Sequence, residues 1–442
     1  MPPQEKETLI QRSSENDLES RPLSAIEVQM DNINATICYA AVVQLREPLD
    51  KERMAKAWAN SRATEPHLQV STKGGWIQQV PEELWQEPEF LEVPESNFRQ
   101  AQMEANIRLG EMKNENTCSH LIVCQDGLKI QLIIRIPHSI SDGTSLMLIV
   151  NHILSQYDNL QRPKVNSPLP RPASELQPEI DPKFIENFKK RYHRDLIEFK
   201  NTVPHELVEN RNGNAFLTTG FGTPEGAANL LKFCRANGIT IGSFLAASVT
   251  FINAQMTKTF NENFKLDVDY NLRDRFPKKI GNNTVSCYIG WPSLRPNAIP
   301  SDSLLAVAKK IHQELKLQMS EESHHQFDSI ADLLKENGAI YDAIAAENNG
   351  VNASINFSNV GKYKFSTKYE KSEILELYCT GNGWANVCEY CTLFQTTDKI
   401  CISITHTDKP AYHEAAKKLV QELIRFTEDP DEAGQIILST LL

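Results

Sequence analysis

The chain has 442 residues, 40% of them hydrophobic, 23% charged and 8% aromatic, a globular balance with length for two or three domains or two large lobes. Its 57 acidic against 46 basic side chains leave a net charge of −11, which excludes a nucleic-acid binder held by a general basic surface. Nine cysteines over this length are too sparse for a disulfide scaffold, and the odd count suits a reducing compartment.

Residues 1–20 are rich in Glu, Ser and Gln; without an apolar signal region or lipidation motif they read as a disordered lead. Residues 35–45 are apolar, with β-branched and small side chains, and predict a buried strand. Pro48, Leu49 and Asp50 then open a helix with Met54, Ala57 and Trp58 at helical spacing. A second pair follows: a strand over 128–136 and a helix over 145–157 with Leu146, Ile149, Val150, Ile153 and Leu154 on one face. A short polar loop, 137–144, joins them.

Prolines at 163, 168, 170, 172, 178 and 182 each fix φ and remove a backbone donor, so 163–182 reads as an extended linker. It separates an N-terminal lobe, 21–162, from a C-terminal lobe, 183–442. The second half predicts helices at 183–200, 225–237, 243–255, 302–319 and 411–426, and strands at 264–270, 285–291, 351–357, 374–379 and 400–406. This alternation predicts an α/β fold. No window approaches the roughly 18 apolar residues of a membrane span. The expectation is a cytoplasmic monomer with neither membrane nor nucleic acid as a partner.

The loop Pro137-His138-Ser139-Ile140-Ser141-Asp142-Gly143 holds the most chemistry. A histidine straight after a buried strand is rigidly held, and its neutral ring can take a proton from an attacking hydroxyl or amine. Asp142 is placed to cap the next helix or to pair with an arginine, and Gly143 to let the backbone turn tightly. On spacing alone, a helix cap beside a surface histidine is an equal reading.

His138, Asp142 and Gly143 after a strand resemble the HxxxDG signature of the chloramphenicol acetyltransferase-like acyltransferases, which include condensation domains, plant BAHD enzymes and polyketide-associated acyltransferases. Other segments resemble that superfamily in the same order: Arg21 to Glu27, the strand and helix over 45–57, Gly238-Ile239-Thr240-Ile241, Asn271-Leu272-Arg273-Asp274-Arg275 before Gly281-Asn282, and Asn356 to Gly361. The similarity spans about 21–428. It departs from condensation domains at Pro137, where they double the histidine, and from the plant branch at Asn356-Phe357-Ser358-Asn359-Val360-Gly361, where that branch carries DFGWG.

The resemblance implies a two-lobed α/β fold, each lobe like one chloramphenicol acetyltransferase subunit, with an active-site tunnel between them. It implies His138 as general base for acyl transfer from acyl-coenzyme A or an acyl carrier protein's pantetheine to a small-molecule acceptor, a hydroxyl before an amine, in secondary metabolism. No bound cofactor is implied; the thioester is a co-substrate. Asp142 would pair with Arg273, or alternatively Arg275, whose other reading is a soluble strand edge. Asn282, Ser358 and Asn359 would bind substrate as donors to the oxyanion, against readings as a turn residue and strand-end caps. Two further functions stay open: a cyclase that transfers no acyl group, and a silent module that docks a carrier protein.

Other signals carry less. Cys388 and Cys391 form one CxxC inside a strand-like run, whereas a zinc site needs four converging ligands, so core cysteines and no metal are expected. His324-His325 lies in a polar stretch and reads as surface. The basic clusters at 189–191, 273–279 and 309–310 read as solvated faces before phosphate or carrier-protein sites. No serine-hydrolase elbow, Walker loop or dinucleotide fingerprint is present.

Overall fold

The computed structural model describes residues 11–12, 19–32, 35–107, 118–161, 168–176, 182–183, 185–186, 189–190, 215–258, 264–277, 280, 283–290, 293–320, 353–382, 388–407 and 410–442. The chain divides into two units. One gathers Met1–Leu176 with two returning stretches, Lys278–Tyr288 and Phe365–Leu375; the other takes Gln177–Pro277, Ile289–Lys364 and Glu376–Leu442. A single cut at the proline-rich stretch assigns both returning stretches to the second half, and nothing in their composition marks them out.

In the first unit, strands that are apolar on both faces need cover on both. Thr36–Leu45 (β3) and Lys129–Pro137 (β8) are buried almost throughout. They pair antiparallel, with Ile37 opposite Ile136 and Val43 opposite Ile130. With His120–Asp126 (β7), Glu89–Glu92 (β6) and Ser372–Asn382 (β14), of which the start up to Leu375 belongs to this unit, they form a sheet of order β14-β3-β8-β7-β6, in which β6 runs parallel to β7. Lys51–Thr64 (α2), capped by Asp50, packs with Gly143–Asp158 (α4). That α4 face carries the five apolar residues its spacing predicts, all buried. Phe98–Ile107 (α3) packs on β3 and β8.

A smaller sheet has the order β1-β2-β5-β4, from Gln11–Arg12 (β1), Glu19–Pro22 (β2), Val70–Lys73 (β4) and Trp76–Gln79 (β5). Thus Gln11 and Arg12 pair with Ser20 and Glu19, inside the lead expected to be disordered. The next helix, Ala25–Asn32 (α1), carries in its first turn one half of a buried ion pair: Arg21 Nη1 and Nη2 donate to Glu27 Oε2 and Oε1 at 2.8 and 2.7 Å. A guanidinium this deep needs such partners. Arg21 Nε also donates to Pro170 O at 3.0 Å, and Leu169 N to Glu19 Oε2 at 2.8 Å. The proline-rich stretch is therefore anchored around 169–171.

The second unit is built on a sheet of order β11-β10-β13-β15-β16-β9: Ala215–Phe221 (β9), Leu266–Asn271 (β10), Ile289–Gly290 (β11), Ala353–Lys362 (β13), Cys388–Thr396 (β15) and Ile400–Thr407 (β16). Ser293–Leu294 (β12) pairs with β10. β10, β13 and β15 are mutually parallel, while β16 and β9 are antiparallel additions. Its helices are Pro224–Ala236 (α5), Ile241–Thr257 (α6), Leu304–Ser320 (α7) and Pro410–Glu428 (α8). The apolar α6 buries Phe244, Leu245, Val249, Phe251 and Ile252 and packs on α7 and α8, as a helix hydrophobic all round must.

The helix expected at 183–200 lies mostly outside the described residues. Among the described residues, the strand expected at 285–291 forms at Ile289–Gly290; before it, 285–288 is irregular because its amides bond side chains of the first unit, to which it belongs. Among the described residues no single helix is long and apolar enough to cross a membrane.

Candidate active site

β8 ends at Pro137 and α4 starts at Gly143, so residues 138–142 make the whole connection. His138 N still donates to Ala35 O at 2.9 Å, and Ile140 N and Ser141 Oγ turn back to Pro137 O at 3.3 and 3.0 Å. Asp142 adopts extended backbone and caps α4, as a short acidic side chain at this position should. Its carboxylate is 1% exposed. Oδ1 accepts from Ser145 N at 2.8 Å and lies 2.9 Å from Ser145 Oγ, while Oδ2 accepts from Tyr288 N at 2.9 Å.

Tyr288 arrives on the returning stretch, whose end is pinned at Val285, Ser286 and Tyr288. Val285 N donates to Glu65 Oε2 at 3.2 Å and Ser286 N to Ser145 Oγ at 3.0 Å. The single Ser145 hydroxyl proton lies between Asp142 Oδ1 and Ser286 O, the latter at 2.8 Å. Tyr288 Oη donates to Arg171 O at 2.9 Å. From the turn after α2, His67 Nδ1 lies 3.2 Å from Ile140 O. A carbonyl only accepts, so Nδ1 carries the proton. Burial, helped by the Arg21 charge, pushes the His67 pKa down to about 3, so the ring is a neutral strut under the loop.

His138 is 6% exposed. Burial lowers its pKa below the ordinary histidine value; hydrogen bonds to its own backbone and that of Ser141, and the Asp142 charge, oppose this. The outcome is a neutral imidazole at neutral pH, the form that accepts a proton. Its Nδ1 lies 3.7 Å from Cys287 Sγ.

The structure thus brings His138, Asp142 and Gly143 together in one unit. Gly143 takes the first helical position without the positive φ of Gly74 or Gly127, so the tight turn expected of it is not what the backbone does there. Arg273 belongs to the second unit, 1% exposed, with its N and Nη1 at 2.9 and 3.4 Å from Asn271 Oδ1; Arg275 is exposed. Ser358 and Asn359 lie near the end of β13. There Asn359 Oδ1 accepts from Gly361 N at 3.1 Å across a register shift, and Gly361 has φ +86°. This bond spans the bulge within β13. Asn282 lies outside the described residues, as does His324-His325.

Glu65, His67, Cys287 and Tyr288 carry no signal in the sequence that ties them to the site. Only the Asp-x-x-Ser spacing announces Ser145. Cys388 and Cys391 fall on β15, and among the described residues no group of histidine, cysteine and carboxylate side chains could hold a metal. Burial pushes the Cys38, Cys124 and Cys234 thiols up to about 12, which makes them inert core residues. Lys310 is paired with Asp302 at 2.6 Å.

No family model matches the chain, and no curated protein sequence does. Solved structures match it almost from end to end. The TRI3 trichothecene 15-O-acetyltransferase of Fusarium sporotrichioides superposes with a TM-score of 0.71 at 10% identity, over 96% of this chain and 100% of that one. Polyketide synthase associated protein 5 of Mycobacterium tuberculosis gives 0.62 at 13% identity, covering 92% of this chain and 97% of its own. The EpoB cyclization-docking bidomain of Sorangium cellulosum gives 0.65 at 14% identity, over 92% and 85%. With an HxxxDG loop between a buried strand and a capped helix, and two units that superpose on these proteins along nearly their whole length, the chain has the two-lobed α/β fold of the chloramphenicol acetyltransferase-like superfamily.

Proposed function

We propose that this protein moves an acyl group from a thioester to a hydroxyl group of a small molecule, with His138 as general base. The observation that carries the reading is the state of His138: a buried, neutral imidazole on a loop held at its end by Asp142 and at Ile140 by His67. His138 Nε2 takes the acceptor's proton as its oxygen attacks the thioester carbonyl. The tetrahedral intermediate then collapses, the C–S bond breaks, and the departing thiolate takes the proton from the imidazolium. An ester forms and a thiol is released. A thiol leaves well, so no covalent enzyme intermediate is required.

The donor is acyl-coenzyme A or a carrier-bound acyl-pantetheine, a co-substrate rather than a resident cofactor. An amine acceptor would use the same base. The O-acetyl transfer in the name of the Fusarium neighbour supports a hydroxyl acceptor. Asp142 shapes the loop; Arg273, the buried member of the arginine pair, is its proposed partner. Ser358 and Asn359 stay proposed substrate donors; Asn359 Oδ1 accepts from Gly361 N, and its NH2 is the group that would donate to the oxyanion.

The test is free-thiol release from a panel of acyl-coenzyme A thioesters with small alcohols and amines, for wild type and His138→Ala. Release that needs both an acceptor and His138 supports the reading. Release that survives His138→Ala overturns it. Turnover seen only with carrier-bound thioesters assigns the donor. No thiol release with either donor favours a cyclase or a silent docking module.

A further inference from the structure

We infer that Cys287 is a positioning residue for His138: its thiol closes the Nδ1 edge of the imidazole, so that Nδ1 keeps its proton and Nε2 is the nitrogen that accepts one. The inference rests on reading His138 as the base, and deepens it. Three observations carry it. Cys287 Sγ lies 3.7 Å from His138 Nδ1, a contact in which the sulfur is the weak acceptor once Nδ1 carries the proton. The ring also bonds its own residue's backbone, and only Nδ1 of a histidine can reach its own carbonyl. Finally, the thiol cannot drift, because the residues on either side of it are held: Ser286 by Ser145 through both its N and O, Tyr288 by Asp142.

Among the seven cysteines Cys38, Cys118, Cys124, Cys234, Cys287, Cys379 and Cys401, Cys287 and Cys118 are the ones not fully buried. Cys118 is engaged by Thr72 N at 3.2 Å, whereas Cys287 is directed at the base. Sulfur suits the position. A carboxylate there would draw the ring into its cationic form, which cannot accept a proton, while a thiol excludes water from Nδ1 without adding charge. Asp142, on the same loop, is then the charge acting on the ring. From the elements packed around it, Glu65 and His67 hold the returning stretch and the loop, and Ser145 lies at the head of α4.

The experiment is nitrogen NMR of the full chain carrying 15N-labelled histidine, for wild type, Cys287→Ala and Cys287→Asp, with His138→Ala assigning the signal. Wild type should show the Nδ1-protonated tautomer at pH 7. Opening the edge to water in Cys287→Ala should raise the His138 titration midpoint, and a carboxylate in Cys287→Asp should raise it further, by about one pH unit or more. The acid limb of kcat/KM should move by the same amounts, with KM for the acceptor within about twofold of wild type. Unchanged ring signals across the variants, an Nε2-protonated tautomer in wild type, or acylation of Cys287 by donor alone would each overturn the inference. If Cys287→Asp does not fold, Cys287→Ala decides it. Turnover that persists in His138→Ala, with the ring signals of the Cys287 variants still displaced, would sink the base and leave the contact standing.

Discussion

Two side chains of the loop make opposite demands on their surroundings, and substitution separates them. His138 meets its hydrogen-bonding needs mainly within its own loop, so His138→Ala removes a proton acceptor without opening a network. It should lower kcat/KM by about 10²–10⁴-fold and leave the melting temperature near wild type, read by steady-state kinetics and calorimetry. Early melting with retained turnover would make it a packing histidine. Asp142 is different, because donors face both its oxygens: Ser145 N at Oδ1 and Tyr288 N at Oδ2. In Asp142→Asn, whichever way the amide sits, its NH2 confronts a backbone N–H. The cost should be about 1–3 kcal/mol, seen as a lower melting temperature together with lost turnover. Asp142→Asn with wild-type stability would mean that these amides do not depend on the carboxylate.

At the scale of elements, the stretch 285–288 is composed like a strand but does not extend a ladder, because side chains have claimed its amides. Ser145 is the pivot. Ser145→Ala removes the hydroxyl that Ser286 N donates to and that shares a proton between Asp142 and Ser286 O. It should destabilise by about 1–3 kcal/mol and speed amide exchange selectively at 285–288, measured by hydrogen exchange with mass spectrometry. Uniform exchange would mean the stretch is held some other way. β3, β8 and α4 were legible in the sequence because burial writes itself as a local period, and the HxxxDG loop was legible because its chemistry occupies consecutive residues. His67 reaches Ile140 over 73 positions and Cys287 reaches His138 over 149. Contacts of that separation leave no period to read. The strand expected at 285–291 does not begin until Ile289 for the same reason: β-branched and aromatic composition reports burial, not which partner takes the amides.

For the whole molecule, the buried neutral histidines tie folding to pH. Burial holds His67 near pKa 3 and His152 near 4, whereas an unfolded histidine titrates near 6.5. Between these values the unfolded chain binds more protons than the native one, so stability is complete above about pH 6.5 and falls as pH drops towards the native pKa, by about 1.4 kcal/mol per unit for a fully shifted group. His67 is the better probe, since His152 Nδ1 lies 3.6 Å from Glu65 Oε1 and a carboxylate there would welcome its proton. His67→Gln keeps a donor for Ile140 O but cannot titrate. It should be less stable than wild type at pH 7, yet lose less on going to pH 5, so the two melting-temperature curves converge in acid. Parallel curves would show that His67 does not stay neutral in the folded protein. The same comparison separates two causes of acid inactivation. If falling activity below pH 6.5 reflects unfolding, His67→Gln should flatten it; if it reflects protonation of His138 in the folded protein, the acid limb of kcat/KM should stay where it is in both proteins.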